Sequence, residues 1–158
     1  MGNDAPPTGK EPVMSFEVRA AATPIVIPTI RTIAADLAAR ADFDLDSIDD
    51  LRMAVDDVCA MLVGIAAEDG TLSCTFTLSA ERIELSAEVD ADHLIDPLPT
   101  GSFDRRVLEC LVDEVRGLLL RGTPNSGEPP ISTSSMPRAA GGKVRISLAK
   151  SVPAAPSS

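Results

Sequence analysis

The strongest constraint on the fold is one apolar stripe in the segment DDLRMAVDDVCAMLVGIAA, residues 49–67. Its members recur at alternating intervals of three and four residues: Ile48, Leu51, Val55, Val58, Leu62 and Ile65. This spacing predicts an amphipathic helix whose apolar face must be covered by other parts of the chain. Asp46 or Ser47 is expected to cap the helix, and Asp49 and Asp50 in its first turn favour the positive end of the helix dipole.

The segments around this helix carry two kinds of apolar pattern. MSFEVRA, residues 14–20, alternates apolar and polar side chains and predicts a half-buried strand. IRTIAADLAAR, residues 30–40, has helical spacing, and Pro28 is acceptable in its first turn. After Gly70, two alternating runs separated by SAER predict an antiparallel hairpin over 72–89.

A third helix and a closing strand complete the expected order of elements. The helix is predicted over 103–121, and its expected buried side chains are Phe103, Val107, Leu108, Leu111, Val115 and Leu118. KVRISLAK, residues 143–150, alternates as a strand. Alternating strands need one face covered, and three one-sided helices can cover it. We therefore expect an α+β fold, a two-layer α/β sandwich with three helices on one face of a mixed or antiparallel sheet.

The chain length suits one domain. Both ends of the chain and one internal segment are rich in Pro, Gly and Ser. We expect a disordered leader over 1–12, a domain over 13–150 that contains a flexible connection over 123–142, and a disordered tail over 151–158. We identify no internal repeat.

Composition argues against two classes of partner. The formal net charge is −10 and Trp and Tyr are absent, so the clustered cations and stacking rings of nucleic-acid binders are missing. The N-terminus lacks a signal-peptide pattern, and no run approaches the ~18 apolar residues of a membrane helix. We expect a cytoplasmic protein that contacts neither nucleic acid nor membrane directly. The acidic surface suits a basic protein partner, although acidity often serves solubility alone.

The cysteines and the histidine indicate no reactive centre. Cys59, Cys74 and Cys110 are scattered among apolar residues without C-x-x-C spacing, which favours buried structural thiols over a redox site. His93 is the only histidine, which argues against a histidine-based metal site or a Ser-His-Asp triad. No metal site is predicted.

The order of elements, with DLRMAVDDVCAML on the second helix and GSFDRRVLECLVDEV on the third, resembles the anti-sigma factor serine kinases. These belong to the histidine kinase-like ATPases, the GHKL or Bergerat fold. The likeness covers residues 13–150 and is closest to actinobacterial anti-sigma factors that restrain stress and sporulation-type sigma factors. LVDEV, residues 111–115, is similar to the family's M-D-E-V, and Val58 and Cys59 fall on its Val-Thr.

The resemblance implies where catalytic residues would lie. The family's catalytic Glu falls on Asp56, a carboxylate one methylene shorter, and its magnesium-binding Asn falls on Ala60, whose methyl group cannot ligate a hard cation. A misplacement of about an ångström can cost ~100-fold in rate. A solvated helix rim is the favoured explanation of Asp56 and Asp57 and requires no catalysis.

The nucleotide-binding positions implied by the resemblance are also altered. Asp90 falls on the aspartate that accepts a hydrogen bond from adenine, but Asp92 and Leu94 replace the glycines that follow it. Of the family's phosphate-binding glycines before the third helix, this sequence keeps only Gly101. Strand-end polarity for Asp90 and an ordinary turn for Gly101 account for both residues without a ligand.

Three functions follow as alternatives. The preferred one is an anti-sigma factor that needs no cofactor, sequesters a basic sigma factor and is released by an anti-anti-sigma partner. The second is an active serine kinase that uses ATP and magnesium with Asp56 as base, and the third is a generic α/β regulatory domain. The family's dimer implies a homodimer through residues 14–37 with Arg31 as an exposed anchor. The expected sigma-facing surface is acidic: Asp42, Asp44, Asp46, Asp49, Asp50, Asp56 and Asp57.

Overall fold

The computed structural model describes residues 14–121 and 141–152. The predicted leader over 1–12 lies outside these ranges, as does nearly all of the predicted connection over 123–142 and of the tail over 151–158. Within the described ranges, Gly142 is the first residue of the last strand and Ser151 is its last.

Within the described residues, three α-helices and five strands follow one another. In order they are β1 (Met14–Ala21), a 3-10 turn (Pro24–Val26), α1 (Ile27–Arg40), α2 (Leu45–Ile65), β2 (Thr71–Leu78), β3 (Arg82–Ala91), α3 (Phe103–Leu111), β4 (Glu114–Arg121) and β5 (Gly142–Ser151). The strands form one sheet in the order β1-β2-β3-β5-β4, and every neighbouring pair is antiparallel. The predicted α+β sandwich is confirmed.

The core lies between α2 and the sheet. In β3 the odd-numbered residues from Ile83 to Ala91 are buried toward the helices, while the even-numbered ones face the other side of the sheet. The middle of the α2 stripe is fully buried, from Leu51 to Leu62, and Ile48 and Ile65 pack at its ends. α2 contacts both α1 and α3, so it fixes the position of everything on this face.

The predicted third helix over 103–121 is wrong in its second half. α3 ends at Leu111, and the chain then turns into β4, which pairs with β5. Asp113 fixes this turn, since its N–H donates to the carbonyl of Ala149 at 2.9 Å and its carboxylate accepts from the N–H of Ser151 at 2.6 Å. Leu118, expected in the core, is therefore 47% exposed. Phe103, also expected there, begins α3 as predicted but is 79% exposed.

Smaller differences concern a cap and a thiol. α2 begins earlier than expected, and Asp44 rather than Asp46 or Ser47 caps it by accepting from the N–H of Ser47 at 3.0 Å. Cys59 and Cys74 are buried as predicted, but Cys110 is exposed on α3. A hydrogen bond with Cys74, together with burial, raises the pKa of the Cys59 thiol, which suits a structural role. No helix in the described ranges is long and apolar enough to cross a membrane.

Candidate functional site

The solvent-facing rim of α2 carries the two adjacent carboxylates singled out by the sequence. Asp56 Oδ1 accepts a hydrogen bond from Arg31 Nη1 of α1 at 2.9 Å, and both side chains are about two-fifths exposed. Arg31, which the family resemblance implies as an exposed dimer anchor, is a partner of Asp56 within this chain. One oxygen of the proposed catalytic carboxylate is already engaged in joining α1 to α2.

Asp57 lies in a different environment from its neighbour. Burial raises the pKa of the Asp57 carboxyl, and the charges of Asp56 and of Asp104 on α3 raise it further. Asp57 makes no ion pair with any described residue. Sequence reasoning missed Asp104 entirely, although a carboxylate in the first turn of a helix is a recognisable signal.

Ala60, one turn beyond Asp56 on α2, is exposed. Its methyl group offers no oxygen to a cation at the position where the family resemblance implies a magnesium ligand. Across residues 14–121 and 141–152, no three His, Cys, Asp or Glu side chains are grouped so that they could hold a metal ion.

Asp90 is on the opposite side of the sheet from this rim. It alternates with the buried Val89 and Ala91, so its side chain faces away from the helices. Its carboxylate accepts from the N–H of Thr71 at 3.1 Å and lies 3.3 Å from Nζ of Lys143. Burial works against ionisation here, but these two partners outweigh it and lower the pKa of Asp90.

Gly101 lies in the turn that leads into α3. Its φ of +82° is in the left-handed region, which favours glycine for conformational reasons alone. Ser102 then caps α3, because its Oγ accepts from the N–H of Arg105 at 3.2 Å. Arg105 also donates to the carbonyl of Leu98 at 3.0 Å, which ties the preceding loop to the helix.

The structure therefore brings together only part of the predicted site. Asp56, Asp57 and the start of α3 lie on the side of the sheet that the helices cover, whereas Asp90 lies on the other side. Asp57 on α2 and Asp104 on α3 are near enough for the charge of Asp104 to raise the pKa of Asp57. Like charges in one place repel an added anion, so this arrangement opposes phosphate binding unless a cation is supplied.

The acidic surface predicted from the sequence is partly neutralised by neighbours. Asp49 lies 3.6 Å from Arg52 and Asp50 lies 3.8 Å from Lys150, while Asp56 pairs with Arg31. Within the described ranges, Asp42, Asp46 and Asp57 make no ion pair, and Asp44 serves as a cap. The remaining excess of negative charge lies around the turn between α1 and α2.

Comparison with known proteins identifies the family. The chain is 32% identical to anti-sigma-F factor RsbW of Mycobacterium tuberculosis over 117 residues, which is 72% of this chain and 68% of that protein. It is 27% identical to serine-protein kinase RsbW of Bacillus subtilis over 121 residues, which is 64% of this chain and 76% of that protein. No family model matches the chain. The similarity to the mycobacterial protein agrees with the order of elements and the antiparallel sheet, and the chain belongs to the RsbW family of anti-sigma factors and serine-protein kinases.

Proposed function

We propose that this protein is an anti-sigma factor, which binds and sequesters an alternative sigma factor and is released by an anti-anti-sigma partner. The observation that carries the proposal is the 32% identity to an anti-sigma-F factor over 72% of the chain. Sequestration is a binding function and needs a surface rather than a catalytic constellation. A cytoplasmic location belongs to the same proposal, because a sigma factor acts on RNA polymerase.

The proposal includes the absence of a kinase step. Three features support it: Asp56 is engaged by Arg31, Ala60 presents a methyl group, and Asp90 faces away from α2. Each of them counts against one part of what phosphoryl transfer from ATP requires, namely a free base, a cation ligand and a nucleotide contact.

Calorimetry with ATP and magnesium tests this part of the proposal. We expect no saturable heat of binding at millimolar nucleotide, and no transfer of labelled phosphate to a co-purified antagonist. Tight magnesium-dependent binding would overturn the cofactor-free mechanism. It would leave the sequestration of a sigma factor to be judged by its own experiment.

The second candidate function is an active serine kinase, favoured by the similarity to serine-protein kinase RsbW and by the two carboxylates on α2. If ATP does bind, Asp56→Asn and Asp57→Asn separate the possible bases. Loss of phosphate transfer in only one variant, with nucleotide affinity retained in both, would assign that base and refute the proposed absence of a kinase step. If the unsubstituted chain also transfers no phosphate, the absence of a kinase step is supported.

Co-expression with each sigma factor of the source genome, followed by size exclusion, tests sequestration directly. We expect one alternative sigma factor to co-elute with the chain and to be withdrawn from core RNA polymerase. Failure of every sigma factor to co-elute would reject the anti-sigma proposal and favour the generic regulatory domain.

We also propose a homodimer through β1 and α1. β1 is an edge strand, and three large apolar side chains in this region are exposed: Met14 at 55%, Phe16 at 40% and Ile25 at 82%. Apolar clusters of this kind mark interaction surfaces. Light scattering should give a dimer for the unsubstituted chain and a monomer for Phe16→Glu, while a monomeric unsubstituted chain would refute the dimer.

A further inference from the structure

The opposite edge of the sheet, formed by β4, is open. β4 pairs with β5 on its inner side, and no described strand pairs with its outer side. From Gly117 to Leu120 the strand carries no charged side chain, and Leu118 and Leu119 are 47% and 40% exposed. Protein edges are usually protected by charges or bulges, so the uncharged stretch of β4, with its exposed leucines, can accept another strand.

Beside this edge lies a cleft on the sheet face that is turned away from the helices. Its volume is about 520 Å³. Threonine and serine side chains line it together with five charged ones: Arg82, Arg116, Arg145, Glu84 and Glu114. The charged lining has more arginine than glutamate, although the chain as a whole has a net charge of −10.

The three arginines differ in how they are satisfied. Arg82 binds Glu84 at 2.9 Å and Glu114 at 2.7 Å, and Arg145 binds Glu88, outside the cleft, at 2.9 Å. Arg116, which is exposed, makes no ion pair with any residue of the described ranges. Among the described residues, the cleft therefore contains one guanidinium without a carboxylate partner, located on the edge strand itself.

We propose that β4 and this cleft bind an extended acidic segment of a partner protein, which adds to the sheet as a further strand. Arg116 and Leu118 are two residues apart and project to the same face. An added strand with a carboxylate and an apolar residue at the same spacing would contact both, while its backbone pairs with the outer side of β4. A guanidinium and a carboxylate form a bidentate pair that also sets the register.

A second copy of this chain fits the edge less well. Antiparallel pairing of two copies of β4 centred on Gly117 or on Leu118 would place a leucine opposite Arg116. The guanidinium would then gain no carboxylate, whereas an acidic segment supplies one. This binding surface is separate from β1, α1 and α2, so it does not depend on the proposed anti-sigma function.

The probe is a short synthetic peptide in which valine and glutamate alternate, titrated into the isotopically labelled full chain. We expect amide chemical-shift changes confined to β4, β5 and the cleft. A peptide in which lysine replaces glutamate should bind at least tenfold more weakly. A peptide methylated on alternate backbone nitrogens along the pairing edge should not bind, because it cannot donate to the sheet.

Two charge-reversed variants complete the experiment. Arg116→Glu should weaken binding of the glutamate peptide at least tenfold and strengthen binding of the lysine peptide. Arg106→Glu is the matched control, since Arg106 is exposed on α3 outside the cleft and the change in net charge is the same. Equal effects of both variants, binding by the methylated peptide, absence of binding, or self-association of the chain through β4 would each overturn the proposal.

Discussion

At the scale of single residues, two aspartates show that local surroundings shift the pKa of the same chemical group in opposite directions. Asp57 has only burial and negative neighbours, and its pKa is raised. Asp90 has a backbone donor and an ammonium group, and its pKa is lowered despite burial. The pH dependence of stability should therefore have opposite signs at the two positions.

Asp57→Asn should stabilise the protein at neutral pH. A carboxyl whose pKa is raised on folding binds more protons when folded, so its stabilising contribution falls as pH rises from the unfolded value of 3.8. The amide removes this penalty, and the gain in melting temperature should shrink as pH is lowered toward that value. Thermal denaturation between neutral pH and pH 3.8 measures this gain in melting temperature. Asp92→Asn, in the exposed loop, is the control. An unchanged or lower melting temperature of Asp57→Asn at neutral pH contradicts the prediction.

Asp90→Asn should destabilise the protein at neutral pH, the opposite of the effect of Asp57→Asn. A carboxyl whose pKa is lowered contributes stability above the unfolded value of 3.8, and the contribution is lost as pH falls through the folded value. The amide can still accept from Thr71 but loses its attraction to Lys143, so we expect a loss of about 1 kcal/mol or less at neutral pH. Urea denaturation at neutral and acid pH checks this, and a loss that persists at acid pH would point to packing instead.

At the residue level, sequence placed side chains on elements but not beside their partners. Helix periodicity is a local signal and put Asp56 and Asp57 on α2, while the roles that the family resemblance implies for Asp56 and Gly101 stay predictions. The pairing of Asp56 with Arg31 joins residues 25 positions apart and has no local signal. The cap of α2 was misassigned because Asp42, Asp44 and Asp46 are equivalent by residue type, and only the backbone geometry at Asp44 selects one of them.

At the scale of elements, the main failure of prediction is the boundary between α3 and β4. Val115, Leu118 and Leu119 have helical spacing and continue the stripe of α3, so periodicity favours one long helix. The structure instead pairs Glu114–Arg121 with β5, because the open edge of that strand needs hydrogen-bond partners. β5 is distant in sequence, and a pattern read along a short window contains no information about it.

Ser102→Ala should measure how strongly α3 depends on its cap. α3 has nine residues and buries only Leu108 completely, so it has little packing to compensate for a lost hydrogen bond. We expect a loss of about 1 kcal/mol in the free energy of unfolding. Thr100→Ala, in the same turn but outside the cap, should change it by less than about 0.5 kcal/mol. Equal losses in the two variants would show that the turn, not the cap, determines stability.

At the scale of the whole molecule, charge is unevenly distributed between the two faces. On the sheet face away from the helices, acids and bases largely pair, as Arg82 and Arg145 do with their glutamates. At the turn between α1 and α2, Asp42 and Asp46 make no ion pair within the described ranges. The negative potential available to a basic partner is therefore strongest at one end of α2.

This distribution predicts a salt-sensitive association with the sigma factor. Raising salt from about 0.1 M to about 1 M shortens the Debye length from about 10 Å to about 3 Å and should slow association markedly. Asp42→Asn with Asp46→Asn should reduce the association rate several-fold at low salt and leave dissociation nearly unchanged. The substitution at Asp42 should be tolerated, because asparagine accepts its φ of +62°.

Glu68→Gln with Asp69→Asn provides the control for this measurement. It removes the same charge at the other end of α2, and Asp69 has a comparable φ of +59°. α2 has 21 residues, so the two pairs are separated by roughly 30 Å, well beyond the screening length. Surface plasmon resonance with the co-eluting sigma factor should show a rate effect for the first pair only. Equal effects would mean that net charge alone attracts the partner, and a salt-independent rate would remove electrostatics from its recognition.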